Sequence, residues 1–133
     1  MKIDFYEVAE TPDFDKQFSR LTKKKRFLSL PNQIKELFEA FQKGEFTGER
    51  IKHVESPIVY DVYKVRLSNP DANVGKSGGY RVIYVVVTEV RLVVFLTIYY
   101  KKEKADVSDP YIEGLIDGYV LNMIPEDEPG AKV

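Results

Sequence analysis

Cysteine and tryptophan are absent from this chain of 133 residues, and histidine occurs once. The missing cysteine excludes disulfides, thiolate metal centres and a cysteine nucleophile. No catalytic triad or histidine metal cluster assembles around the lone His53, which sits beside Lys52 and Glu55 and reads as a surface residue. Long unbroken apolar runs are also missing. The longest, Val82–Tyr100, is interrupted by Glu89 and Arg91, and a bilayer span of about 20 residues does not carry two charges at its centre. A β-hairpin is the better reading. The opening MKIDFYEVAE places charges where a secretory leader is apolar. Together with the missing cysteine, this sets the expectation of a cytoplasmic protein without a membrane partner.

Nucleotide and metal motifs fail as well. Gly75-Lys76-Ser77 suggests a phosphate loop, but that pattern needs a glycine where Pro70 stands and a helix where a strand is expected. Asp106, Asp109, Glu113 and Asp117 are better explained as capping and solvating a helix than as a cation site. No cofactor and no metal ligand is expected.

What is present is an uneven distribution of charge. Residues 64–104 hold 8 Lys/Arg against 3 Asp/Glu, whereas residues 105–133 hold 1 against 7. Positive charge gathered in one segment can form a phosphate-attracting surface even when the whole chain is mildly acidic. A solvated strand face with ordinary lysines is the bland alternative.

Periodicity gives the element order. Ile3–Val8 has strand-forming residues. Thr11-Pro12-Asp13 opens a helix with an apolar stripe at Phe14, Phe18 and Leu21 and a basic cluster, Lys23 to Arg26, at its end. A second helix starts near Pro31, buries Ile34, Leu37, Phe38 and Phe41, and stops at Gly44. Val59–Leu67 alternates, with Lys64 and Arg66 on one face. A loop over 68–79 leads to two apolar strands, Tyr80–Thr88 and Leu92–Tyr100, and Asp109-Pro110 opens a last helix carrying Ile112, Leu115 and Ile116. The expected fold is α+β, in the order β-α-α-β-β-β-α: a small, mainly antiparallel sheet with two N-terminal helices packed on it and a C-terminal helix. The domain should span 1–124, with 125–133 an acidic, frayed tail.

The basic residues Lys64, Arg66, Lys76, Arg81, Lys101, Lys102 and Lys104 fall on strands, or at strand ends, that this order can bring together. Such a cluster suits phosphodiester transfer in RNA. There the attacking 2′-hydroxyl belongs to the substrate, and the protein need only orient the backbone, neutralise developing charge and move two protons. Arginine forks match the phosphate, and a lysine crowded by cations gives up its proton more readily. Arg81 stands at the edge of an apolar strand and needs a counter-ion, either a phosphate or a carboxylate such as Glu103 or Asp106.

Three segments, VYKVRL (62–67), GKSGGYRVIYVV (75–86) and VVFLTIYYKKEKADVS (93–108), occur in order and at compatible spacing. Over about residues 3–122 the chain resembles the RelE/ParE toxin superfamily, closest to RelE and HigB-like mRNA interferases. The resemblance implies a type II toxin that cleaves mRNA on the ribosome without a metal and is controlled by a cognate antitoxin. It implies catalytic roles for Lys64, Arg66, Arg81 and Lys102, the last at a position that is arginine in RelE. It further implies phosphate or RNA contacts from Lys76, Lys101 and Lys104, with Tyr100 among the tyrosines, including Tyr99 and Tyr111, able to stack a base. Ser108 occupies the place of the family's functional tyrosine. The alternatives are a ParE-like DNA gyrase poison without catalysis, an inactive binding module of the same fold, and an unrelated α+β domain.

Overall fold

Two strands with no exposed residue set the architecture. A computed structural model describes residues 5–124, and in it β4 (Tyr80–Val87) and β5 (Leu92–Tyr100) are buried along their whole length. Both faces of this pair must therefore be covered. On one side lie α1 (Pro12–Ser19), its π-wound extension Arg20–Lys24, and α2 (Leu30–Gln42), which bring Phe14, Leu21, Leu37 and Phe41 against Tyr84, Phe95 and Ile98. On the other lie α3 (Asp109–Leu115) and its π-wound continuation Ile116–Val120, which bring Ile112, Leu115, Ile116 and Val120 against Ile83, Val85, Val94 and Leu96. Continuous β-branched and aromatic runs are what such doubly covered strands require.

The sheet order is β1-β5-β4-β3-β2, with β1 at Glu7–Glu10, β2 at Glu49–Val54 and β3 at Tyr60–Leu67. Every pairing is antiparallel except that of β1 with β5. The α+β class and the mainly antiparallel sheet are as expected, but the order contains one strand more. The missed strand is β2, whose sequence ERIKHV is charged and largely exposed. It is an edge strand, and charge on an edge blunts unwanted pairing, so the apolar signal that identifies β4 and β5 is absent there. Among the described residues the first strand begins at Glu7, and its expected start at Ile3 and the expected tail at 125–133 lie outside the described residues.

Local chemistry fixes the ends. Thr11 is fully buried: its hydroxyl accepts from Phe14 N at 3.1 Å, capping α1, and donates to Leu96 O at 2.6 Å. Its own N–H reaches Phe95 O, so one residue closes both the helix and the β1 edge. Ser108 caps α3 through Tyr111 N, one residue before the expected Asp109-Pro110 start.

Two glycines hold β3 at close range. A Cβ on Gly48, whose φ is +98°, would lie 2.5 Å from Lys64 O, and one on Gly79 would lie 2.0 Å from Leu67 O. Both contacts are with backbone, so neither can be relieved by a rotamer change. Gly79→Ala is expected to cost about 1–3 kcal/mol by overpacking. It should lower the melting temperature by roughly 5 °C and displace the 75–79 loop, measurable by calorimetry together with backbone amide shifts at Lys76 and Leu67.

Candidate functional site

Strand register decides which cations meet. Arg66 pairs across with Arg81, Lys64 with Ile83, and Arg81 with Tyr99 of β5. Directly paired residues share a sheet face, so Lys64, Arg66, Arg81 and Tyr99 all lie on the face that α3 covers further along. Of the four residues expected to meet in one concave surface, Lys64, Arg66, Arg81 and Lys102, the first three share this face. Tyr99 joins them because β5 bulges: Ile83 opposes Thr97 while Tyr84 opposes Phe95, leaving Leu96 as an extra residue. Leu96 and Tyr99 consequently belong to the same core face despite odd spacing.

The two facing arginines are not equivalent. Arg66 is exposed, whereas Arg81 is only 5% exposed. The Arg81 guanidinium is turned inward, with Nη1 donating to Lys76 O at 2.9 Å and Tyr80 O at 3.4 Å, and Nη2 donating to Ser77 O at 3.0 Å. Neither Glu103 nor Asp106 is its partner; loop carbonyls are. A charged donor forms strong hydrogen bonds to carbonyls, so Arg81 ties down the turn that presents Lys76.

Lys64, Arg66 and Lys76 line one open groove of about 600 Å³ along the outer edge of β3. It is accessible because the β2 pairing stops at Glu49↔Lys64 and leaves the last turn of β3 without an outer strand. Gln33 and Glu49 also line it, and neither had a signal in the sequence. Gln33 Nε2 donates to Ser68 O at 3.0 Å, while its Oε1 has no hydrogen-bond partner among the described residues.

Asp106, expected to solvate the last helix, instead faces the cations. One of its oxygens accepts from Tyr99 OH at 2.5 Å and from Val107 N at 3.0 Å, and the other lies 3.9 Å from Lys64 Nζ. The Tyr99 hydroxyl does most to hold the Asp106 carboxyl below its ordinary range, with help from Lys64 and Lys101. Burial, followed by Asp106 itself, pushes the Tyr99 hydroxyl well up, so it stays a donor.

The remaining candidates are placed elsewhere. Tyr100 is a correction: its ring sits on the opposite core face, 5.2 Å from Phe27 and 5.3 Å from Tyr80, and is not available to a base. Lys102 is exposed and stretches over Gly78, so it reaches the turn held by Arg81. Lys101 donates to Ala105 O. Lys104 lies over the Tyr111 ring, 5.6 Å from its centroid. His53 contacts Asp61 at 2.6 Å and Glu55 at 3.2 Å on the surface, away from these groups. Among the described residues no cluster of His, Asp and Glu could hold a metal ion.

No family model matches the sequence, and no curated protein does. Solved structures do. An arginine-to-alanine double variant of the E. coli toxin RelE in the free state matches with a TM-score of 0.50 at 16% identity, over 86% of this chain and 98% of that one. The isolated E. coli RelE toxin matches with a TM-score of 0.47 at 20% identity, over 84% and 97%. The archaeal RelE–RelB complex from Pyrococcus horikoshii matches with a TM-score of 0.43 at 20% identity, over 75% and 99%. At this level of identity the likeness to the free-state variant is one of fold, and the chain has a RelE-like α+β fold.

Proposed function

We propose that this chain is the toxin of a type II toxin–antitoxin pair, a metal-independent and ribosome-dependent mRNA endonuclease. The observation that carries the proposal is the grouping of Lys64, Arg66 and Lys76 on one open groove, on a strand edge braced by Gly48 and Gly79. The RelE-like fold and the three sequence segments support the same reading.

The groove holds an RNA backbone with the scissile phosphate between Lys64 and Arg66. The substrate's 2′-oxygen loses its proton and bonds to the adjacent phosphorus, the bond to the 5′-oxygen breaks, and that oxygen takes up a proton. The products are a 2′,3′-cyclic phosphate and a 5′-hydroxyl. Arg66 supplies a planar fork to the phosphate oxygens. Lys64, steadied by Asp106 at 3.9 Å, is positioned to move one of the protons. Lys76 and Lys102 neutralise neighbouring phosphates. Arg81 acts through the turn it holds and is a positioning residue in this scheme. The cognate antitoxin would fill the groove, covering both the cationic rim and the apolar floor at Leu37, Val65 and Leu67.

Lys64→Ala and Arg66→Ala should each reduce cleavage about a hundredfold with the melting temperature unchanged, read by primer extension on cellular mRNA after induction. Full growth arrest from both folded variants would refute the proposal, and gyrase-dependent DNA breaks in place of mRNA cuts would favour the ParE-like alternative. Arg81→Ala should lose activity and also about 2 kcal/mol of stability, since it removes the charged donor shared by the loop carbonyls. Arg81→Lys should recover only part of either, because a point charge cannot reach two carbonyls as a fork does. Tyr99→Phe removes the donor that most depresses the Asp106 carboxyl. Asp106 then takes up a proton at a higher pH, and the acid limb of the pH–rate profile should move upward relative to the parent. An unmoved limb would mean that Asp106 does not steady Lys64.

A further inference from the structure

The outer side of α3 and its π-wound continuation plays no part in the cleavage groove. Two large side chains stand there in the open, Tyr111 at 38% and Tyr119 at 40% exposure. Eight residues apart on an α-helix, side chains point about 80° away from one another. The π-wound stretch Ile116–Val120 takes up about one residue of that offset and keeps the two tyrosines on one side. Burial, then Asp13, pushes the Tyr111 hydroxyl up to about 12, and Tyr119 adds to the rise. The Tyr111 hydroxyl donates to Asp13, whereas Tyr119 makes no hydrogen bond or ring contact among the described residues. Gly114 and Gly118 are exposed on the same helix, and a Cβ at either would meet nothing within 4 Å. Glycine is a poor helix residue, and the packing of this chain does not ask for it at either position. A second surface lying close against the helix does.

A cavity of about 240 Å³ opens beside this helix, between β2 and α3. The buried Val62 and Ile112 line it together with Ile51, Lys52, Asp109 and Glu113. β2 bulges at Ile51, between the pairs Arg50↔Tyr63 and Lys52↔Val62, and so turns two successive side chains toward one space. A cation of this chain already uses the site. Lys52 Nζ donates to Glu113, and that bond holds the ammonium group above its ordinary range. Tyr60, at the start of β3, lies in the same field: burial raises its hydroxyl, Lys52 lowers it, and Asp117 and Glu113 raise it further. Asp109 and Asp117 have no ion pair among the described residues. A second lysine, Lys104, lies over the Tyr111 ring. Each edge of the helix thus holds a cation of this chain, one on a carboxylate and one on a ring.

We infer that this face of α3 docks a basic, arginine-bearing segment of a partner protein. One arginine enters the cavity with its stem along Ile51 and Ile112 and its head at Asp109. The segment crosses the helix over Gly114 and Gly118, and a second arginine stacks on Tyr119. Charge complementarity identifies the occupant. Residues 109–124 hold Asp109, Glu113 and Asp117 and no lysine or arginine, so the surface repels a phosphate backbone and attracts a cationic chain. The cavity pairs an apolar lining with carboxylates, which suits a side chain that is apolar along its stem and charged at its head. Arginine adds what lysine lacks, a planar fork for a carboxylate and a flat face for a tyrosine ring. Tyrosine and arginine are also the residues on which protein interfaces most often depend. The inference does not rest on the cleavage reading of the groove.

The test uses the full chain and a labelled peptide of alternating Arg and Ser, with a Lys–Ser peptide of equal length beside it, and follows binding by anisotropy. The Arg–Ser peptide should bind more tightly than the Lys–Ser one. Asp117→Asn and Tyr119→Ala should each weaken its binding about tenfold and leave the melting temperature unchanged. Glu36→Gln, which removes an exposed carboxylate on α2, should bind like the parent. Gly114→Ala decides the matter. It should raise the melting temperature, because alanine is the better helix former, and still weaken binding, because a methyl group then stands where the segment crosses. Unfolding cannot produce that pair of changes. A parent that binds neither peptide overturns the inference. So does a parent whose affinity is matched by the Asp117, Tyr119 and Gly114 variants, or one that holds both peptides equally, which is a response to net charge alone. Self-association of the parent in sedimentation, lost in Tyr119→Ala, gives the face to a second copy of this chain and overturns it too.

Discussion

Burial of β4 and β5 on both faces is the constraint from which the rest of this structure follows. A strand covered on both sides has no place for charge along its length, so charge can enter only at its ends. Arg81 is the second residue of β4, and Lys101 follows the last residue of β5. The helices that provide the cover leave one corner of the sheet open. β3 extends into that corner past the end of β2, and Lys64 and Arg66 occupy it.

Within that corner the cations divide into two kinds. Arg81 spends its fork on the carbonyls of its own chain, while Lys64, Arg66 and Lys76 line the groove. Internal and external charges therefore do different work. The buried one makes a flexible, glycine-rich turn hold its shape, and the exposed ones can neutralise a ligand. The Tyr99–Asp106 pair adds a counterweight: a carboxylate kept ionised beside Lys64 limits the repulsion among the cations and gives Lys64 a preferred direction.

Much of this is legible in the sequence. A period of two places Lys64 and Arg66 on a common face, and apolar runs locate β4 and β5, because both signals arise from burial that repeats along the chain. β2 escapes such a reading because an edge strand with both faces partly wet has no such signal. Proximity in sequence makes Asp106 look like part of the α3 cap, yet Ser108 caps and Asp106 is drawn to Tyr99. Tyr99 itself faces Arg81 only through a bulge at Leu96, and no residue type announces a bulge within a run of apolar residues. The need of Arg81 for a counter-ion is evident from its apolar neighbours. Its actual partners are backbone carbonyls, which every residue has and no sequence can single out.

The side-by-side pairing of β1 with β5 has a consequence for how the chain comes into being. Thr11 closes its helix and its sheet edge on a carbonyl 85 residues away, and β1 lies along residues 92–95. Contacts of such separation delay folding, and a chain made from its N-terminus waits longest for them. Until β5 emerges, β1 has no neighbour, β4 lacks one flank, and neither core can close. The sheet is therefore completed from its far ends inward in sequence, only after roughly the first hundred residues are available.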